Sequence, residues 1–145
     1  MHAVDFLLKE HATVRATFKE ISNDSHRYET KRKMFDELCE NLKCHEKMEQ
    51  TKWYPHLQKN PELKKIIDHL LEEEKKASEA ISDFKHITDE AEWEKKFSTF
   101  HKDVDHHANE EEEKLFPKVK DFFEEKQLEE WGLAMHQFKI ECLKK

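Results

Sequence analysis

Apolar residues recur along this chain at alternating steps of three and four, the period of helices with one buried face. Val4, Leu7, Val14, Phe18 and Ile21 form a first stripe with His11 in phase. Phe35, Leu38, Leu42 and Trp53 form a second, which takes in His45 and Glu49. A third follows Leu63, Ile66, Leu70, Ala77, Ala80 and Phe84, carrying Glu73 in phase and His69 beside it. Phe97, Phe100, Val104 and Leu115 make the fourth, with His107 and Glu111 in its line. Period-2 alternation of β-branched residues and Asn-Gly or Asp-Gly hairpin turns are both missing.

Turn signals divide the stripes. "SNDS" (22–25) ends the first. "KNPE" (59–62) offers Asn60 as a helix cap and Pro61 at a first helical position. "TDEAE" (88–92) offers Thr88 or Asp89 as cap, with acidic residues in the first turn after it. Phase is lost around Phe123–Lys126. The pattern predicts helices at about 3–22, 28–58, 61–87 and 90–121, and a shorter one at about 126–143 that contains Gly132. Short connections make neighbours antiparallel. The expected fold is therefore all-α: an up-down-up-down four-helix bundle (about 3–121) followed by a short C-terminal fifth helix, with residues 1–145 as one domain.

Composition narrows the function. One glycine, three prolines and 41% charged residues in 145 suit long helices. A net charge of −7 leaves no basic stripe to replace phosphate counterions, so nucleic acid is not an expected partner. No apolar run approaches the roughly 18 residues of a membrane span. Asp5 and Lys9 interrupt the apolar N-terminus, which does not read as a signal peptide. Cys39, Cys44 and Cys142 form neither an even set nor a Cys-x-x-Cys pair, and are expected as reduced thiols in a cytoplasmic protein.

The polar residues inside the stripes carry the chemistry. "CHEKMEQTKWYP" and "HHANEEEEKLFP" share a phrase, which aligns His45 with His107, Glu49 with Glu111 and Pro55 with Pro117. In an antiparallel pair, residues equidistant from the turn stand at one level. His45 with Glu73, and Glu49 with His69, centre on residue 59; Glu73 with His107, and His69 with Glu111, centre on residue 90. His11 and His45 centre on 28, in the first loop. Carboxylates buried together are destabilising by several kcal/mol each unless cations compensate them. Imidazoles and glutamates at i, i+4 can reach one ion or two neighbouring ions, and carboxylates bridge paired ions about 3.5–4 Å apart. Nitrogen and oxygen donors without thiolate favour iron, with manganese or zinc possible. No histidine has a glutamate three residues before it, which disfavours the ferritin-type di-iron arrangement.

These motifs, with "KEHATV" around His11 and "IIDHLLEEE" around His69, resemble the hemerythrin-like family of histidine/glutamate cation-binding domains over about residues 3–121. The resemblance implies two non-haem iron ions, carboxylate- or oxo-bridged, on His11, His45, Glu49, His69, His107 and Glu111, with Glu49 and Glu111 as bridges. Glu73 joins the expected ligands where the family's oxygen carriers place a second histidine. A His-x-x-x-Glu also stands here in place of their His-x-x-x-x-Asp. Exchanging an imidazole for a carboxylate adds negative charge, which favours ferric iron over reversible oxygen carriage.

The expected function is a di-iron protein that binds dioxygen or another small diatomic or oxidant, or that senses or buffers iron or oxidants. Alternatives are reactivity toward nitric oxide or peroxide, iron–sulfur cluster repair, or metal used as a fold staple. A binding protein is favoured over an enzyme: no catalytic residue is assigned and no protein partner is indicated.

Overall fold

In the computed structural model, which describes residues 2–144, all regular structure among the described residues is helical. The bundle is built from α1 (Ala3–Ile21), α2 (Tyr28–Lys52) with its short continuation α3 (Tyr54–Gln58), α4 (Pro61–Phe84), and α5 (Glu90–Glu110), which passes through a π-helical turn (Glu111–Leu115) into α6 (Phe116–Phe122). Helix α7 (Glu125–Leu143) packs outside the bundle against α1 and α2. Within the bundle α1 contacts α2 and α5, and α4 contacts the same two, as an up-down-up-down path requires.

The starts of α4 and α5 follow the sequence signals. The Asn60 side chain accepts a hydrogen bond from the backbone N–H of Glu62, and Asp89 accepts one from that of Glu92. The two proline repeats break what the apolar pattern alone predicts as continuous helices. Proline has no N–H to donate and its ring crowds the carbonyl four residues back. Ahead of Pro55 the chain leaves helical geometry at Trp53 (φ −123°, ψ −69°). Ahead of Pro117 it widens into the π turn. The first lies one turn after a fully buried glutamate, Glu49, and the second begins at another, Glu111. Single π turns inside α-helices are frequent at functional sites.

The third predicted stripe shifts by one residue. Ile67, Leu70, Glu74, Ile81 and Phe84 face inward on α4, rather than Ile66, Glu73 and Ala80. Both readings start at Leu63 and have steps of three and four; the observed one buries two isoleucines where the other would bury Ile66 and Ala80, and so removes more apolar surface from water.

Apolar packing forms two clusters. One gathers Leu7, Met48, Trp53, Leu57, Ile67, Leu115 and their neighbours. The other is aromatic, with Phe18, Phe35, Phe84, Trp93, Phe97 and Phe100. Buried His11, His45, Glu49, Glu74 and Glu111 lie between the two clusters along their helices, so their layer has apolar walls on both sides.

The cysteines depart from expectation. Cys44 on α2 is disulfide-bonded to Cys142 on α7, and Cys39 is a buried free thiol. Sequence spacing hides this pairing, because it depends on α7 folding back along α2.

Candidate metal centre

His11 (α1), His45 and Glu49 (α2), Glu74 (α4), His107 (α5) and Glu111 (π turn) form the polar layer. Glu49 and Glu111 are 0% exposed and Glu74 is 2% exposed. The chain has buried three carboxylates together where a hydrocarbon core would be less demanding.

The three imidazoles share one orientation. Each directs Nδ1 outward at a carboxylate: His11 at Glu112 (2.7 Å), His45 at Glu10 (3.1 Å) and His107 at Glu73 (3.0 Å). An ionised carboxylate can only accept, so Nδ1 carries the proton and donates it. Nε2 then points inward. His45 Nε2 is 3.2 Å from Glu49 Oε1, while His107 Nε2 is 3.1 Å from Glu111 Oε1 and 3.3 Å from Glu74 Oε2. His11 Nε2 stands 3.7 Å from Glu111 Oε1.

These inward atoms are not aligned as hydrogen bonds. Nε2 of His11 and His107, and both carboxylate oxygens of Glu49 and of Glu111, are buried without a hydrogen-bond partner. Neutral imidazole nitrogens facing carboxylate oxygens present lone pair to lone pair, which is unfavourable until a cation, a proton or a metal, lies between them. Donors about 2.0–2.2 Å from one metal ion at right angles stand about 3 Å apart, close to the spacing seen here. Two groups of donors each lie within 4.8 Å of one another, His11–His45–Glu111 and Glu49–His107–Glu111. They share Glu111.

Without metal, protons must supply the compensation. Burial drives the Glu49 carboxyl well above the usual range, and the charges of Glu111 and Glu74 add to the effect. Burial also opposes ionisation of Glu111, but His107 and His11 outweigh it and hold its pKa well below normal. Burial likewise works against a charged His107, yet the neighbouring carboxylates of Glu111, Glu73 and Glu74 raise its pKa well above normal. Tyr54, whose hydroxyl donates to Glu74 at 3.2 Å, is held neutral by burial and by the surrounding carboxylates.

The seven residues expected from the sequence separate into two places. His11, His45, Glu49, His107 and Glu111 meet in the buried layer. His69 is 59% exposed and joins Glu73 and Glu110 in a second group at the rim of the bundle. Glu73 turns its Oε1 to His107 Nδ1, outside the layer. The shift on α4 is the physical reason: with Ile67 and Ile81 facing inward, Glu74 takes the inward place and His69 and Glu73 turn to the rim. Glu74 was missed because "EEE" (72–74) offers three candidates and periodicity alone does not choose among them. Glu10 and Glu112 carried no periodic signal, since each meets its histidine from outside the apolar stripes.

A cavity of about 400 Å³ beside the layer is lined by His11, His45, Glu74 and His107 together with Val14, Phe18, Leu42 and Phe100, and extends to the rim at His69 and His106.

A four-helix bundle with a buried layer of imidazole and carboxylate donors defines a cation-binding class of helical protein. The hemerythrin HHE cation binding domain matches residues 2–119, and the chain belongs to that family. Comparisons with curated proteins and with solved structures give no significant match. No described helix is long and apolar enough to cross a membrane.

Proposed function

We propose that the buried layer holds two iron ions and that the protein binds dioxygen or another small diatomic or oxidant beside them. The observation that carries this reading is the set of unpartnered buried atoms on His11, His107, Glu49 and Glu111. Two donor groups sharing Glu111 support a pair of ions with that carboxylate between them. His11, His45, Glu49, Glu74, His107 and Glu111 would be the ligands, three imidazoles and three carboxylates. Their nitrogen and oxygen donors favour iron, with manganese or zinc as competitors.

When bound, a di-iron centre supplies redox chemistry and a coordination position for a small ligand. The chain supplies the surroundings. Glu112, Glu10 and Glu73 hold the three Nδ1 protons and so fix each ring with Nε2 inward. Phe18, Leu42 and Phe100 make the adjoining cavity apolar, which suits a small uncharged molecule. Three carboxylates give the site more negative charge than an all-histidine set and favour the ferric state. A cytoplasmic location loses the support of reduced cysteines, because Cys44 and Cys142 are bonded.

Iron analysis of the purified protein, with its spectrum before and after oxygen exposure, tests this reading. Two irons per chain and a near-ultraviolet oxo-bridge band that responds to oxygen are expected. Protein that stays iron-free after anaerobic reconstitution would overturn it.

A further inference from the structure

The rim carries a second duplicated phrase, one residue out of step with the buried one. His69 and Glu73 are at i, i+4 on α4, and His106 and Glu110 are at i, i+4 on α5. The two helices are neighbours, and the pairs converge. His106 Nε2 is 2.8 Å from Glu110 Oε1, while His69 Nε2 is 3.1 Å from the other oxygen of the same carboxylate. Glu73 Oε2 lies 3.5 Å from both imidazole nitrogens. Two surface pairs on separate helices need not meet; here each glutamate serves both histidines.

We propose that His69, Glu73, His106 and Glu110 form a second, rim-level site for a zinc-type divalent cation. His69, Glu73 and Glu110 each offer a donor atom within 4.8 Å of the other two, as ligands of one ion require, and His106 Nε2 reaches the second oxygen of Glu110 at 2.8 Å, in place to complete a four-ligand shell. Two imidazoles with two carboxylates suit zinc and its late transition-metal neighbours better than magnesium or calcium, which prefer all-oxygen shells. The imidazoles are 59% and 62% exposed, so an ion can enter from solvent without opening the core. Both glutamates are more sheltered than the histidines, which places the charge on the inner side of the site. Lys114 approaches Glu110 only to 3.8 Å and does not displace the imidazoles.

Glu73 ties this site to the buried layer. One of its oxygens accepts from His107 Nδ1 at 3.0 Å, and the other faces the rim. The two sites are thus separate in ligands and joined by one carboxylate.

The test compares the full-length chain with two double variants, His69→Ala/His106→Ala and His45→Ala/His107→Ala. Each protein is reconstituted with iron and then titrated with zinc against a chromophoric chelator. Wild type should take up one more zinc per chain than the rim variant. The rim variant should keep the wild-type iron content and helical circular dichroism, since it alters only exposed side chains. The core variant should lose iron yet retain the extra zinc. Equal zinc uptake by wild type and the rim variant would overturn the proposal. So would simultaneous loss of zinc and iron from the rim variant, because the two sites would then be one. Failure of the di-iron reading shows separately, as iron content unchanged in the core variant.

Discussion

Glu112 on the π turn accepts a hydrogen bond from Nδ1 of His11 on α1 at 2.7 Å, while the preceding residue, Glu111, faces the other nitrogen of the same ring. Two consecutive glutamates thus address opposite edges of one imidazole. Arg15 Nη1 donates to the same Glu112 oxygen at 2.8 Å and braces it from outside. Replacing Glu112 by Gln keeps the shape and removes the charge that fixes the His11 tautomer. Iron affinity, measured by chelator competition, should fall about 10–100-fold with the stoichiometry unchanged. An unchanged affinity would mean that Glu112 only pairs with Arg15.

The Cys44–Cys142 bond closes a loop with a sequence separation of 98 and fastens α7 to α2 one residue before His45. Such a long loop restricts the unfolded chain strongly, and its removal should cost about 2–4 kcal/mol. Denaturant unfolding of Cys142→Ser, or of wild type with a thiol reductant, should show that loss. Lys139 still pairs with Glu10, and Leu128 and Met135 stay packed, so α7 should remain docked. Equal stability with and without reductant would show that the bond adds nothing to the fold.

Glu46 makes the metal-free protein sensitive to pH. Burial, reinforced by the charge of Glu74, pushes its carboxyl pKa up to about 8, against 4.5 when unexposed to those influences. The folded form therefore holds its proton over a range in which the unfolded form has released it. This contribution to stability is complete below pH 4.5 and is lost as pH rises to about 8. Melting temperature of the metal-free protein should fall across that window, and Glu46→Gln should flatten the fall. If the variant follows the same slope as wild type, Glu46 does not carry the effect.

Much of the arrangement is legible in the sequence because it rests on periodicity. The helices, the caps at Asn60 and Asp89, and the inward places of His11, His45, Glu49, His107 and Glu111 all follow from steps of three and four. On α4 the same rule has two solutions from Leu63, and only the packing of Ile67 and Ile81 against the other helices decides between them. The Cys44–Cys142 bond and the outward pairs on Glu10, Glu73 and Glu112 depend on distances between helices, which no local pattern encodes. The π turn is equally hidden, although Pro117 marks its neighbourhood.

Glu73 and Glu74 therefore provide the sharpest test of how α4 faces the centre. Glu74 lies in the layer, 3.3 Å from His107 Nε2, and is held there by Gln50 at 2.9 Å and by the Tyr54 hydroxyl. Glu73 touches only the outer nitrogen of the same ring. Glu74→Ala removes a donor from the layer and should lower the iron bound per chain. Glu73→Ala should leave the count intact and weaken affinity about 10–100-fold, as loss of an outer partner does. Iron analysis and chelator competition on the two variants separate these effects. The opposite pattern, iron lost with Glu73 and kept without Glu74, would mean that α4 turns Glu73 inward when metal binds.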